Sequence, residues 1–185
     1  EFRGSGWNVM KVIWGRLWDP IFARDKEGKL QELMDAVVDG ELQNFKAKGG
    51  AYTRKHFFGK HPEALKLVED MTDDEIENLN RGGHDPLKVF NAYKSAYECT
   101  DKLAVVLAFT VKGYGIGSRQ ADNTTHQVKK LSEENLRDFI NNFNLPIDDK
   151  KLKGLEYLTL SKKSDEYKYL INQRKALGGF LPKRV

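Results

Sequence analysis

A single cysteine, Cys99, excludes an internal disulfide and any zinc site built on paired thiols. It falls in a helical pattern away from histidines and basic clusters and reads as an inert thiol. The four histidines, His56, His61, His84 and His126, are too scattered for metal-ligand spacing. No apolar run approaches the roughly 18 residues of a membrane span, and the opening EFRGSGWNVM lacks a signal peptide's apolar stretch, so a cytoplasmic protein with no membrane partner is expected. There is no Gly-x-Ser-x-Gly elbow for serine-hydrolase chemistry and no Walker A loop. Charge of one sign is also scarce. The net charge is +4, with −2 in residues 1–92 and +6 in residues 93–185. The pairs Lys129-Lys130, Lys150-Lys151 and Lys162-Lys163 have acidic residues nearby, which favours a solvated surface over a phosphate track, and no nucleic-acid partner is expected.

What is present suits an ordinary globular domain: 185 residues, 39% hydrophobic, 31% charged, mean hydropathy −0.63. Asn8–Trp14 (NVMKVIW) is a β-branched run closed by Gly15 and reads as a buried strand. Glu1, without an initiator Met, lies so close before it that the chain is expected to begin inside a larger protein, the preceding helix and strands lying elsewhere. Residues 20–38 carry helical spacing through Leu30, Leu33, Met34 and Val37, with Asp39-Gly40 as a stop. Phe45, Tyr52, Phe57 and Phe58 lie among Lys and Arg. The pattern reads as core and rim of helices, the other reading being a platform for single-stranded nucleic acid.

Pro62 opens a short helix, and Thr72 and Glu75 form a capping box for the next. In the turn Arg81-Gly82-Gly83-His84-Asp85-Pro86, His84 reads as a structural turn residue, Asp85 as an N-cap and Pro86 as the first helical residue. The helix that follows has Leu87, Phe90, Tyr93 and Tyr97 as its expected buried stripe. Leu103–Val111 (LAVVLAFTV) reads as a central strand parallel to the first and buried on both faces, giving an α/β class with covering helices. Ser132 and Ser164 cap two later helices, and Gly178-Gly179 stops the last.

Between Lys112 and His126 the sequence KGYGIGSRQADNTTH is polar, Gly-rich and aperiodic, and is expected to be a mobile loop. Gly113, Gly115 and Gly117 permit close backbone approach, and the loop leaves the carboxyl end of a strand, where ligands of open α/β sheets bind. Lys112 therefore reads either as a cation facing a phosphate or as a solvated lysine. His126 reads either as an acid or base working near neutral pH or as a capping or solvated histidine.

The stretches WNVMKVIWG, AYTRKHFFGKHPE, NRGGHDPLKVFNAYKSA, VKGYGIG, HQVKKL and YLINQRKALGGFLPKRV together resemble the decarboxylating component of homodimeric bacterial pyruvate dehydrogenase complexes. That resemblance implies a transketolase-like domain that binds thiamine diphosphate, of which residues 1–185 would be the C-terminal half. Magnesium would be held by residues outside the chain, since the family's Gly-Asp-Gly…Asn signature is missing and Val38-Asp39-Gly40 lacks its first Gly. The implied activity is oxidative decarboxylation of pyruvate with acetyl transfer to the lipoyl domain of dihydrolipoyl acetyltransferase, in a homodimer, this piece being inactive alone. Lys112 matches the family's cofactor-site lysine, and His126 its histidine on a mobile loop that assists acetyl transfer. Ser118–Asp122 departs from the family's acidic, Gly-containing stretch and is one residue shorter. Another 2-oxo acid dehydrogenase or a transketolase-like enzyme is the alternative within the class; a basic single-strand-binding module is the alternative outside it.

Overall fold

The computed structural model describes residues 1–117, 120, 125–127, 129–154 and 157–181, leaving aside the side chains of Asp39 and Asp149. The chain divides into two compact units, residues 1–139 and 140–185.

In the first unit two strands, β1 (Asn8–Val12) and β2 (Ala104–Ala108), pair in parallel, with Asn8 opposite Ala104 and Val12 opposite Ala108. The Asn8 N–H donates to the Leu103 carbonyl at 2.8 Å, and the Phe109 N–H to that of Val12 at 2.9 Å, so the ladder extends to the carboxyl end of both strands. The parallel α/β reading is met. Burial on both faces is not: every described residue of β2 is half-buried or exposed, and only Val12 of β1 is buried. An apolar run marks a strand that can be covered; two strands alone leave much of each face open.

The crossover carries α1 (Asp19–Arg24), α2 (Lys29–Ala36), α3 (Asp39–Ala47), α4 (Gly49–His56), α5 (Pro62–Lys66), α6 (Asp73–Glu77) and α7 (Pro86–Glu98). The first six enclose a core of Trp18, Ile21, Leu30, Leu33, Phe45, Phe57, Phe58, Ala64, Val68, Ile76 and Leu79. Phe45, Phe57 and Phe58 are thus interior and unavailable for stacking on bases. Arg54 ties these helices together by donating to the carbonyls of Val68 and Met71 and pairing with Asp73 at 2.6 Å. α6 has the expected capping box: the Thr72 hydroxyl accepts from the Glu75 N–H at 3.2 Å, and Glu75 accepts from the Thr72 N–H at 2.7 Å.

Two expectations fail here. Asp39-Gly40 does not stop a helix: α2 ends at Ala36, Val37 and Val38 are extended, and Asp39 begins α3. The α7 stripe is also on the opposite side from the one expected. Leu87, Phe90, Tyr93 and Tyr97 are 50%, 60%, 65% and 87% exposed, while Val89, Ala92 and Ala96 turn inward. Small residues at i, i+3 and i+7 let a helix lie close to a sheet, and counting only large apolar side chains selects the wrong face.

α8 (Glu133–Asn142) starts in the first unit, where the Ser132 hydroxyl accepts from the Asn135 N–H at 3.2 Å. In the second unit α9 (Asp149–Gly154) precedes α10 (Asp165–Ala176). The Ser164 hydroxyl caps α10 by accepting from the Tyr167 N–H at 3.2 Å. Gly178 and Gly179 end it at φ +92° and +99°, the left-handed conformation glycine adopts without a steric cost. No helix among the described residues is long and apolar enough to cross a membrane.

Candidate functional site

The Asn80–Asp85 turn grips the carboxyl ends of both strands. On the β1 side, the Gly15 N–H donates to the Asn80 carbonyl at 2.9 Å and the Gly82 N–H to that of Ile13 at 2.7 Å. On the β2 side, the Gly83 N–H donates to the Phe109 carbonyl at 2.9 Å, and the Arg81 guanidinium donates to the Thr110 carbonyl while lying 4.2 Å from the Phe109 ring centroid. Both glycines are sterically required. A Cβ at Gly82 would come within 2.8 Å of the Val12 carbonyl carbon, and one at Gly83 within 2.6 Å of the Phe109 oxygen.

Asp85 completes the turn, and its buried carboxylate has three backbone donors: Arg16 at 2.8 Å, Leu87 at 3.0 Å and Lys88 at 3.2 Å. Burial alone would raise its pKa. The N–H donors and the Arg16 guanidinium outweigh it and hold the carboxyl below its ordinary value. Asp85→Ala uncaps α7 and strands the Arg16 N–H, so we expect about 2 kcal/mol or more of lost stability, read by denaturant melts. The sign with pH follows: the folded value is the lower one, so the contribution is complete above pH 3.8 and is lost as pH falls through the folded value. Asp85→Asn should keep most of the cap and lose that acid dependence.

Past the grip, Lys112 is exposed and opens a tight turn in which Gly113, Gly115 and Gly117 have φ of +66°, +87° and +61°. The loop folds back on itself. A Cβ built on Gly113 would lie 2.5 Å from Thr125 Cγ2, so Gly113 and the buried Thr125 are in direct contact. Lys112 and His126, fourteen positions apart, therefore flank one contact, with His126 exposed in the short 3-10 turn Thr125–Gln127. The structure brings both predicted residues to the same end of β2. The expected mobility, and the departure at Ser118–Asp122, fall largely on residues 118, 119 and 121–124, outside the described residues.

An ammonium on a glycine turn beyond a parallel strand suits an anionic phosphate group: the charge is unburied and no Cβ covers the backbone at the three glycines. Among the described residues no group of three His, Cys, Asp or Glu side chains could hold a metal ion. The sequence reading missed the chemistry of His84. Its Nε2 accepts the Val111 N–H at 2.6 Å, and its ring stacks on Tyr114 with centroids 3.7 Å apart and planes at 8°. Only the Gly-Gly before it, which allows so close an approach to the strand, hinted at this.

No family model matches the chain. Among curated proteins, the pyruvate dehydrogenase E1 component of Pseudomonas aeruginosa is 54% identical over 183 residues, covering 99% of this chain and 21% of that protein. Along its whole length, this chain matches part of a pyruvate dehydrogenase E1 component. The Escherichia coli K12 protein of the same name is 49% identical over 184 residues, covering 99% of the chain and 21% of its own length. That of Corynebacterium glutamicum is 48% identical over 188 residues, covering 99% and 20%. The chain thus spans about a fifth of the length of the curated E1 components it matches.

Proposed function

We propose that this chain is a working part of a thiamine diphosphate-dependent pyruvate dehydrogenase, the C-terminal half of its transketolase-like diphosphate-binding domain, and inactive without the remainder. The observation that carries the reading is the position of Lys112, beyond a parallel strand and beside the Thr125–His126 turn, in a chain about half identical to E1 components from end to end. When bound, thiamine diphosphate supplies the electron sink for decarboxylation. Lys112 would hold the diphosphate through its ammonium, and His126 would move a proton as the acetyl group passes to a lipoyl acceptor. Magnesium would take its ligands from outside this chain. A second identical subunit and the lipoyl domain of dihydrolipoyl acetyltransferase are the macromolecular partners, and the setting is the cytoplasm. The relatives' printed name favours pyruvate over another 2-oxo acid or a transketolase substrate, and the buried phenylalanines speak against a single-strand-binding module.

The test is thiamine diphosphate binding by the full-length protein. Lys112→Ala should raise the dissociation constant by about 10-fold to 100-fold, the range for losing a bond to a charged group. Decarboxylation and acetyl transfer should fall together. An unchanged dissociation constant overturns the role given to Lys112.

A further inference from the structure

Four residues of the 80–84 turn, Asn80, Arg81, Gly83 and His84, hold residues 109–114, the backbone on both sides of Lys112. Gly83 holds the Phe109 carbonyl and Arg81 that of Thr110. His84 receives the Val111 N–H and stacks on Tyr114, whose own N–H donates to the Val111 carbonyl at 3.2 Å. Asn80 donates to the Tyr114 hydroxyl at 3.4 Å. The imidazole spans the lysine, bonded to the residue before it and stacked on the residue two after it.

We propose that His84 is a positioning residue for the diphosphate site, fixing the Lys112 backbone through the Val111 N–H and doing so only as a neutral ring. The proposal rests on Lys112 being a cofactor lysine and extends that reading to a residue with no role in it so far. Nε2 has a lone pair for the Val111 N–H only while the ring is uncharged; protonation makes both ring nitrogens donors and sets N–H against N–H. Burial first, and then the charges of Arg81 and Lys46, disfavour the imidazolium and lower its pKa. The carboxylate next in sequence, Asp85, is taken up by the backbone N–H groups of Arg16, Leu87 and Lys88. Acid should therefore break the Val111 bond and release the segment that carries Lys112.

The experiment measures the thiamine diphosphate dissociation constant of the full-length enzyme, with magnesium, from pH 5.5 to 8. It compares wild type with His84→Gln, His84→Phe and Lys112→Ala, each checked for an intact melt. The Gln carbonyl can replace the Nε2 acceptor but does not titrate. Phe can keep the stack but has no acceptor. We expect His84→Gln to bind within about threefold of wild type at pH 7.5 and to lose less affinity than wild type toward the acid end of the range, below the ordinary histidine value of about 6.5, because burial and the neighbouring cations lower the His84 pKa. We expect His84→Phe to bind about tenfold more weakly throughout, the range for one lost hydrogen bond. If Lys112→Ala weakens binding while His84→Phe matches wild type, positioning is overturned and the lysine's role stands. Equal acid-side losses in wild type and His84→Gln also overturn it. No effect of Lys112→Ala overturns the underlying reading and this proposal with it.

Discussion

In the full-length enzyme, His126→Ala is expected to slow acetyl transfer to a lipoyl acceptor by about 10²–10⁴-fold, the usual worth of a positioned acid–base side chain. Pyruvate decarboxylation read with an artificial electron acceptor should remain within about twofold of wild type, because that assay bypasses the transfer step. The selectivity follows from where the side chain sits. Thr125 is buried against Gly113, while His126 next to it is exposed, so the ring is anchored at its base and presented outward beside the Lys112 turn. An outward ring can meet a large incoming carrier without contributing to the cofactor's hold. Lys112→Ala is the control, since it should depress both assays together. Equal loss in the two assays with His126→Ala, or loss in neither, would remove the separate role of the histidine.

The second large effect concerns packing. Gly50→Ala should cost about 3 kcal/mol or more, at the upper end for forcing volume into a packed interior. A Cβ on Gly50 would fall 1.7 Å from the Asp73 carbonyl oxygen and 2.6 Å from its carbon, with the Glu77 N–H nitrogen at 3.1 Å. All three are backbone atoms of α6, so no rotamer change relieves the clash, and α4 and α6 would have to separate. Separation would disturb Arg54, whose bonds to Val68, Met71 and Asp73 span the same interface. Gly40→Ala provides the comparison. Gly40 lies within α3 with nothing inside 4 Å of its would-be Cβ, and alanine there should gain about 0.5–1 kcal/mol from reduced unfolded-state freedom. Denaturant midpoints of the two variants in the full-length protein measure the contrast, and equal midpoints would show that the helices part without cost.

The sequence by itself determined what is settled over a few residues. Thr72 with Glu75, Asp85 with Pro86, Ser132 and Ser164 all start helices where expected, because a cap bonds N–H groups two or three positions ahead of it. The two β-branched runs were legible as strands, and a long helical crossover between them as a parallel pair. The resemblance in the aromatic and glycine stretches was legible too, and similarity to E1 components runs through the whole chain. Tertiary structure decided which face each element turns inward. Periodicity shows that α7 has an apolar stripe of large side chains, but the helix packs on the strands with Val89, Ala92 and Ala96 turned inward, since a helix packs closest where its side chains are smallest. Val37 and Val38 being extended, Asp39 is free to start a helix that a local Asp-Gly reading forbids. At the site, the sequence singled out Lys112 and His126 by residue type and by likeness. The Gly113–Thr125 contact that brings them to one place, and the Val111 N–H that makes His84 an acceptor, join residues 12 and 27 positions apart. No local pattern encodes such pairings, because the free energy that forms them comes from the packed strand ends and is absent from either segment alone.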